Sequence, residues 1–373
     1  MPRPTRRIAP SAAIATTLAF LTLVSGVRPG MAETFAYVGN ADSNDISVFK
    51  LAESGEMTPV QTAAFTGVDK PGSSTPLAIT PDHRVLIAGV RSQPFLAVSF
   101  AIDPKTGQLS PLGNGPLADS MANIAVDSTG KFLFSASYGG NKVTVNPIGP
   151  DGIAQPAQQI MATEPNAHCI VADPSNRYVL HTSLGGDLVY VEKFDAKTGK
   201  LAPSDPPNVS VKAKAGPRHL VFAPKGKFVY LLNELDASIY VFPWDAETGT
   251  LKKEVQVATS LPNGFDGKPW AADIHLTPDG KFLYASERTT STLAAFRVDP
   301  NTGMLTSIDS YPTEKQPRGF SIDPTGRYLL AVGQLSNSMT SYAIDKATGK
   351  LTKLKEYPMG KNPNWVEIVA FSR

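Results

Sequence analysis

The segment GPRHLVFAPKGKFVYLLNE, residues 216–234, has ionisable side chains at both ends and two apolar runs between them. Arg218 and His219 lie at one end, Glu234 lies at the other, and a Pro-Lys-Gly-Lys turn separates the two runs. If the runs pair as a β-hairpin, its open end brings a guanidinium, an imidazole and a carboxylate together. These groups can activate a water molecule by general base catalysis and can stabilise an oxyanion.

This hairpin is one copy of a repeat. Equivalent turns recur 46 to 54 residues apart, with their second residues at Pro81, Ser128, Pro174, Pro224, Pro278 and Pro324. Each turn leads into a β-rich run, a polar loop and an alternating run, and in most units a second turn of the Asp-x-x-Thr-Gly type follows. A period of this length with four strands per unit is typical of the blades of a β-propeller.

Six turns leave one blade to be assembled from the two ends of the repeat region. Residues 34–39 match a second strand, and residues 364–371 match a first strand. We therefore predict an all-β, seven-bladed β-propeller with four-stranded antiparallel blades, in which the C-terminal strand joins the N-terminal blade. Residues 33–373 form a single domain in this prediction. Closure removes the open sheet edges that would otherwise invite aggregation.

The first strand of each blade begins, and the second strand ends, at the same face of a propeller. Six residues before the six turn positions lie Thr75, Ala122, His168, Arg218, Ala272 and Arg318, and ten residues after them lie Arg91, Tyr138, Leu184, Glu234, Arg288 and Gln334. We predict a polar site for a small molecule at this mouth of the central channel. The candidate residues are His168, Arg218, Glu234, Arg288, His219, Asp273, His275, Arg318, Asn166, Tyr138 and Gln334.

Composition limits the other kinds of function. The formal net charge is +2 and the basic residues are scattered, so we expect no nucleic-acid partner. Cys169 is the only cysteine, which rules out an intramolecular disulfide, and we expect it to be buried. Neither a metal-ligand motif nor a cofactor motif is apparent, and we expect no bound metal or cofactor. His83 falls in a turn at the opposite end and His181 falls inside a strand, so neither is a candidate.

Residues 1–32 differ in composition from the rest of the chain. Arg3, Arg6 and Arg7 precede an uncharged run, and Gly30-Met31-Ala32 provides small residues at positions −3 and −1 of a cleavage site. This pattern is typical of a secretory signal peptide, and the Arg pair leaves a twin-arginine route open. A membrane anchor is the alternative, but the apolar core is shorter than the roughly 20 residues that span a bilayer. We therefore expect a periplasmic or secreted protein with no membrane attachment after cleavage.

The chain resembles the seven-bladed propeller lactonases, which include the enterobacterial type of 6-phosphogluconolactonase and the fungal carboxy-muconate lactonising enzyme. The resemblance is most specific in NAHCIVADPSNRYV, GPRHLVFAPKGKFVYLLNE, AADIHLTPDGKFLYASERT and KQPRGFSIDPTGRYLLAVGQ. It implies metal-independent hydrolysis of a sugar-acid lactone, or formation of a lactone. Its catalytic positions correspond here to His168, Arg218, Glu234 and Arg288, while His219, Asp273, His275 and Arg318 lie close by.

The predicted export separates this chain from lactonases that act on a phosphorylated substrate in the cytoplasm. It favours an unphosphorylated aldonolactone such as glucono-1,5-lactone, with 6-phosphogluconolactone as the other substrate. The alternatives are a non-catalytic propeller that binds a ligand or a protein, and a cycloisomerase that acts on a muconate. We favour His168 as general base, with Glu234 orienting it or the substrate, while His219 and Glu234 remain alternatives. We expect a monomer or a weak oligomer.

Overall fold

The computed structural model describes residues 1–5 and 33–371. Most of the predicted signal peptide, residues 6–32, lies outside these described residues. No helix in the described part of the chain is long and apolar enough to cross a membrane.

The described strands form seven antiparallel sheets, each of which is one blade. Blade one contains β1 (Glu33–Asn40), β2 (Asp45–Leu51) and β3 (Met57–Ala64). Blade two contains β4 (Leu77–Ile79), β5 (Val85–Val90), β6 (Leu96–Ile102) and β7 (Leu109–Pro116). Blade three contains β8 (Met121–Val126), β9 (Phe132–Ser137), β10 (Lys142–Pro147) and β11 (Gln159–Ala162).

The next two blades continue the pattern, with one interruption. Blade four contains β12 (Ala167–Ala172), β13 (Tyr178–Ser183), β14 (Leu188–Asp195) and β15 (Lys200–Ser210). Blade five contains β16 (Pro217–Phe222), β17 (Phe228–Asn233), β18 (Ser238–Asp245), β19 (Thr250–Leu251) and β20 (Gln256–Thr259). Because β19 and β20 both pair with β18, they are two halves of one interrupted fourth strand.

The last strands complete the ring. Blade six contains β21 (Ala271–Leu276), β22 (Phe282–Glu287), β23 (Thr292–Val298) and β24 (Leu305–Pro312). Blade seven contains β25 (Pro317–Ile322), β26 (Tyr328–Gly333), β27 (Ser338–Ile344) and β28 (Leu351–Pro358). The final strand, β29 (Pro363–Phe371), pairs antiparallel with β1, from Phe371 opposite Glu33 to Pro363 opposite Asn40. The predicted seven-bladed architecture and its closure are confirmed.

The hydrophobic core lies between neighbouring blades, where the facing side chains of two sheets pack together. One cluster joins Leu180 and Val191 of blade four to Leu231 and Phe242 of blade five. The second strand of a blade is buried on both faces by its neighbours, whereas an outer strand such as β28 exposes most of its residues. The first strands contact one another around the ring, so they line the central channel.

Carboxylates and hydroxyls build the turns at the face opposite the mouth. The Asp173 carboxylate accepts hydrogen bonds from the backbone N–H groups of Ser175, Arg177 and Tyr178. Asp323 holds the backbone of its own turn in the same way. Each of these turns is a local structure that sets the geometry of one hairpin, as the repeat predicts.

Candidate active site

The residues at the mouth are presented by irregularities in the first strands. The pairing register shifts between Pro217 and His219, which is where Arg218 lies, and between Pro317 and Gly319, where Arg318 lies. A similar shift brackets His168 in blade four. Irregularities of this kind re-aim side chains at the ends of strands. In these three blades, the register shift six residues before the second turn residue therefore points a side chain toward the mouth.

Two arginines converge on one carboxylate. The Oε2 atom of Glu234 lies 2.8 Å from Nε of Arg218 and 2.8 Å from Nη2 of Arg288. Arg218 also donates to the carbonyl of Ala272, and Arg288 donates to that of Ala271 at 3.0 Å. Burial raises the pKa of Glu234, but the charges of the two arginines outweigh burial and lower it. Glu234 is therefore ionised and is a weak base.

Trp270 completes this cluster. Its indole Nε1 donates to Oε1 of Glu234 at 3.2 Å, and the guanidinium carbon of Arg288 lies 3.8 Å from the centre of the indole ring. The backbone of Trp270 is also held, because its carbonyl accepts from Nε of Arg288 and its N–H donates to Glu287. Both carboxylate oxygens of Glu234 are thus occupied.

Two further arginines lie within electrostatic range of this cluster. Arg91 donates to Oγ of Ser120 at 3.1 Å and to Oγ of Ser74 at 2.9 Å, and Arg318 donates to the carbonyl of Ser73 at 3.3 Å. Burial and the charge of Arg218 lower the pKa of Arg91 to about 10 and contribute to lowering that of Arg318. Four guanidiniums share the mouth with the Glu234 carboxylate, so the site is suited to an anion or to a developing negative charge.

His168 lies next to these charges, in the first strand of blade four, one blade before Arg218. Its ring packs edge-to-face against Tyr138 and His219, with centroid distances of 5.9 and 5.1 Å. Its Nδ1 atom is buried and has no hydrogen-bond partner among the described residues. Burial, reinforced by the charge of Arg218, lowers the pKa of His168, so the imidazole is neutral at pH 7 and its buried ring nitrogen can accept a hydrogen bond.

A hydrogen-bonded chain continues from the mouth into the channel. Nδ1 of His219 lies 2.8 Å from Oδ1 of Asp273, and Nε2 of His275 lies 3.1 Å from Oδ2 of the same carboxylate. Burial lowers the pKa of His219 to about 4 despite its carboxylate partner. Burial also lowers the pKa of His275, but the Asp273 carboxylate outweighs this effect and raises it. The Asp273 carboxylate therefore orients two imidazoles, that of His219, which is neutral, and that of His275, which is readily protonated.

The hydrogen-bonded group of His219, Asp273 and His275 borders a cavity of about 230 Å³ that the first strands of several blades enclose. Glu367 lines this cavity, accepts a hydrogen bond from Nε1 of Trp365 at 3.0 Å, and has its pKa raised to about 7 by burial. Within residues 1–5 and 33–371, no group of three or more His, Cys, Asp or Glu side chains is arranged to hold a metal ion.

Two of the predicted site residues instead bind neighbouring loops. Gln334 accepts from Gln316 at 3.1 Å and donates to Asn362 at 2.8 Å, which ties adjoining loops together. Asn166 has a φ of 65° and donates to the carbonyl of Tyr138 at 3.2 Å. These contacts place both side chains in the supports of the mouth rather than in the arginine cluster.

The residues set aside at the sequence level are located as expected. His83 has a φ of 58° and packs against Phe371, and His181 is buried in β13 beside Glu192 and Tyr190. Cys169 is buried, and burial raises the pKa of its thiol to about 12, which makes it unreactive at neutral pH.

Trp270 was not among the predicted site residues. It lies within the longest interval of the repeat, the 54 residues between Pro224 and Pro278, and it is the last residue of the irregular loop between β20 and β21. No other blade has a tryptophan at the equivalent repeat position, so the repeat pattern did not single out Trp270. An aromatic residue at the end of an enlarged entry loop was the available signal.

Comparisons with known proteins find relatives that cover most of the chain. The family model described as "Lactonase, 7-bladed beta-propeller" matches residues 34–368. A 6-phosphogluconolactonase of Pectobacterium carotovorum is 42% identical over 288 residues, which cover 77% of this chain and 84% of the relative. The corresponding enzyme of Serratia proteamaculans is 42% identical over 289 residues, with the same coverage of both chains.

Solved structures give the same result. The periplasmic gluconolactonase PpgL of Pseudomonas aeruginosa has a TM-score of 0.83 and 28% identity, covering 91% of this chain and 99% of that one. A putative 6-phosphogluconolactonase of Bacteroides fragilis has a TM-score of 0.81 and 29% identity, covering 90% and 98%. The chain therefore belongs to the seven-bladed β-propeller lactonase family.

Proposed function

We propose that this lactonase opens a six-membered sugar-acid lactone, glucono-1,5-lactone or its 6-phosphate, to the aldonic acid. The observation that carries the proposal is the buried cluster of Arg218, Glu234 and Arg288 with the neutral imidazole of His168 at the same mouth. Ester hydrolysis needs a base for water and positive charge near the carbonyl oxygen, and this arrangement supplies both.

In the proposed mechanism, His168 removes a proton from a water molecule as the water oxygen attacks the lactone carbonyl carbon. Negative charge moves to the carbonyl oxygen, where Arg218 and Arg288 stabilise it. When the tetrahedral intermediate collapses, the bond to the ring oxygen breaks and the His168 imidazolium returns its proton to that oxygen. The product is the open-chain acid, and His168 is again neutral.

Glu234 acts as a positioning residue in this mechanism. Two guanidiniums share its Oε2 atom, and Trp270 occupies Oε1. Both of its oxygens are already bonded, whereas Nδ1 of His168 has no partner among the described residues, so Glu234 is the less available base. Its role is to hold Arg218 and Arg288 at a fixed separation, which prepares the site for the oxyanion before substrate binds.

The other two arginines suit the negatively charged parts of the reaction. Arg91 and Arg318 hydrogen-bond to serine oxygens, and neither forms an ion pair with a carboxylate among the described residues. The aldonate product carries a carboxylate, and a phosphorylated substrate carries a phosphate in addition. Because the positive charge of Arg91 and Arg318 suits a carboxylate and a phosphate alike, the phosphorylated and the unphosphorylated lactone should be tested in parallel.

Initial rates of acid release from each lactone test the proposed reaction. The wild-type protein should exceed the spontaneous rate with at least one lactone, and His168→Ala and Arg218→Ala should lose most of that excess. Heat-inactivated protein provides the baseline. Equal rates for wild-type, both variants and inactivated protein, with both lactones, would contradict the proposal.

We also infer that the reaction takes place outside the cytoplasm, because residues 1–32 have the composition of an export signal. The similarity to a periplasmic gluconolactonase supports this location. Residues 1–32 fused to a reporter that is active only after export should yield an active reporter. A cytoplasmic, inactive fusion would favour the phosphorylated substrate instead.

A further inference from the structure

We propose that Trp270 is a specificity-determining residue whose indole packs against the sugar ring of the lactone. This inference rests on the proposed function and adds a substrate contact to it. The residue is 39% exposed although it belongs to the same contact network as Arg218 and Arg288, which are 1% and 6% exposed. A large aromatic side chain at a polar mouth is well suited to the C–H face of a hydroxylated ring.

The position of the indole follows from its contacts. Arg288 covers one face at 3.8 Å, and Nε1 points at Oε1 of Glu234. The exposed area therefore lies on the remaining surface of the ring. A ligand that approaches Glu234 or Arg288 from solvent comes into contact with this surface, because the indole lies directly against both groups.

The backbone around Trp270 is held in advance of binding. Its N–H donates to the carboxylate of Glu287, which is fully buried and also accepts from the N–H and hydroxyl of Thr290. Its carbonyl accepts from both the backbone N–H and Nε of Arg288, each at 3.1 Å. A preformed aromatic surface contributes to affinity without the entropy cost of ordering a loop.

Charge and shape together indicate the ligand class. The arginines bind negative charge, while the indole offers a flat apolar surface beside them. A sugar-acid lactone carries both features, namely a ring with an apolar face and a carbonyl that develops negative charge. An acyclic ester of the same acid lacks the ring face, so Trp270 should contribute less to its binding.

The test compares Trp270→Ala and Trp270→Phe with wild type, and uses Leu335→Ala as the matched control. Leu335 is an apolar loop residue that is 57% exposed and follows β26. We measure kcat and KM for both lactones, and the Kd of the lactam analogue of glucono-1,5-lactone by titration calorimetry. Trp270→Ala should raise KM and Kd about tenfold, whereas Trp270→Phe keeps a ring and should change them less than about threefold. Leu335→Ala should match wild type.

The outcomes separate this inference from the proposed function. If wild type hydrolyses a lactone and Trp270→Ala changes kcat alone, with KM and Kd unchanged, the indole serves only to hold Glu234 and the inference is wrong. If wild type binds the lactam but hydrolyses neither lactone, the proposed reaction fails while the Kd values still test the contact. If wild type binds neither lactam nor lactone, the contact is refuted as well.

Discussion

The two ends of each first hairpin are built in opposite ways. At the turn end, Asp173 and Asp323 make the same set of backbone hydrogen bonds within six residues of chain. At the mouth end, the residue at a given repeat position changes from blade to blade, and Arg218 reaches the carbonyl of Ala272 in the next blade. Where the repeat is kept, it specifies hairpin geometry. Where it varies, the side chains of different blades combine into a site.

The largest effect should come from the imidazole at the mouth. His168→Asn removes the proposed general base, and it should lower kcat by about 10²- to 10⁴-fold in lactone hydrolysis assays. The control is His83→Asn at the opposite face, where asparagine tolerates the φ of 58° and activity should not change. If His168→Asn kept the wild-type kcat, His168 would not be the general base, and His219 would be the next candidate.

A second substitution removes positive charge from the oxyanion site. Arg218→Met should lower kcat by about 10²- to 10³-fold, the cost of losing one preorganised donor. Arg297→Met is the matched control, because that guanidinium lies on an outer strand, over the ring of Phe282. Circular dichroism of both variants checks that the fold is intact. Unchanged kcat in folded Arg218→Met protein would contradict the oxyanion assignment.

The turn end should respond in stability and not in activity. Asp173→Ala leaves the backbone N–H groups of Arg177 and Tyr178 without their acceptor and should reduce the free energy of unfolding by about 1–3 kcal/mol. Chemical denaturation measures this loss, and kcat/KM of the folded variant should stay within about twofold of wild type. Asp173→Asn keeps one acceptor oxygen and should lose less stability. A large fall in kcat/KM would mean that the two ends are coupled.

The smallest effect should appear in the pH dependence. Burial, together with the positive charges of Arg218 and Arg318, lowers the pKa of His168, so the acid limb of kcat/KM should lie below the usual imidazole value of about 6.5. Arg318→Gln removes one of these charges and raises the pKa, so His168 becomes protonated at higher pH. The acid limb should therefore shift to higher pH, while Arg177→Gln at the opposite face should leave it in place. A shift to lower pH in Arg318→Gln would exclude His168 as the titrating base.

The turn end and the mouth end of the hairpins differ in how much of their structure the sequence predicts. The turn chemistry and its spacing were sufficient to predict the blades, the closure by β29 and the convergence of Arg218, Glu234 and Arg288. These features depend on strand direction and repeat phase, both of which can be read along the chain. The predicted substrate and the roles of individual site residues remain predictions that the experiments above address.

The details that were not predicted depend on contacts between blades. Repeat phase predicts that His219, Asp273 and His275 lie near the mouth. It does not predict that two imidazoles share one carboxylate, because this contact depends on the distance between β16 and β21. Gln334 has the right phase, yet its amide is taken up by Gln316 and Asn362 in neighbouring loops. Repeat phase gives the level of a residue along its strand and therefore the face at which it lies, whereas side-chain partners depend on loop conformation.

The pairing of β1 with β29 makes blade one the only blade that depends on contact between distant parts of the described chain. Glu33 and Phe371 are cross-strand partners although every other blade lies between them in the chain. Blades two to seven each consist of consecutive strands and can form from local contacts, but blade one requires a strand more than 300 residues after β1 in the chain. Until that strand pairs, the inner edge of β1 lacks its native partner strand. Ring closure is thus a late, long-range step whose rate should limit folding more than the formation of any single hairpin.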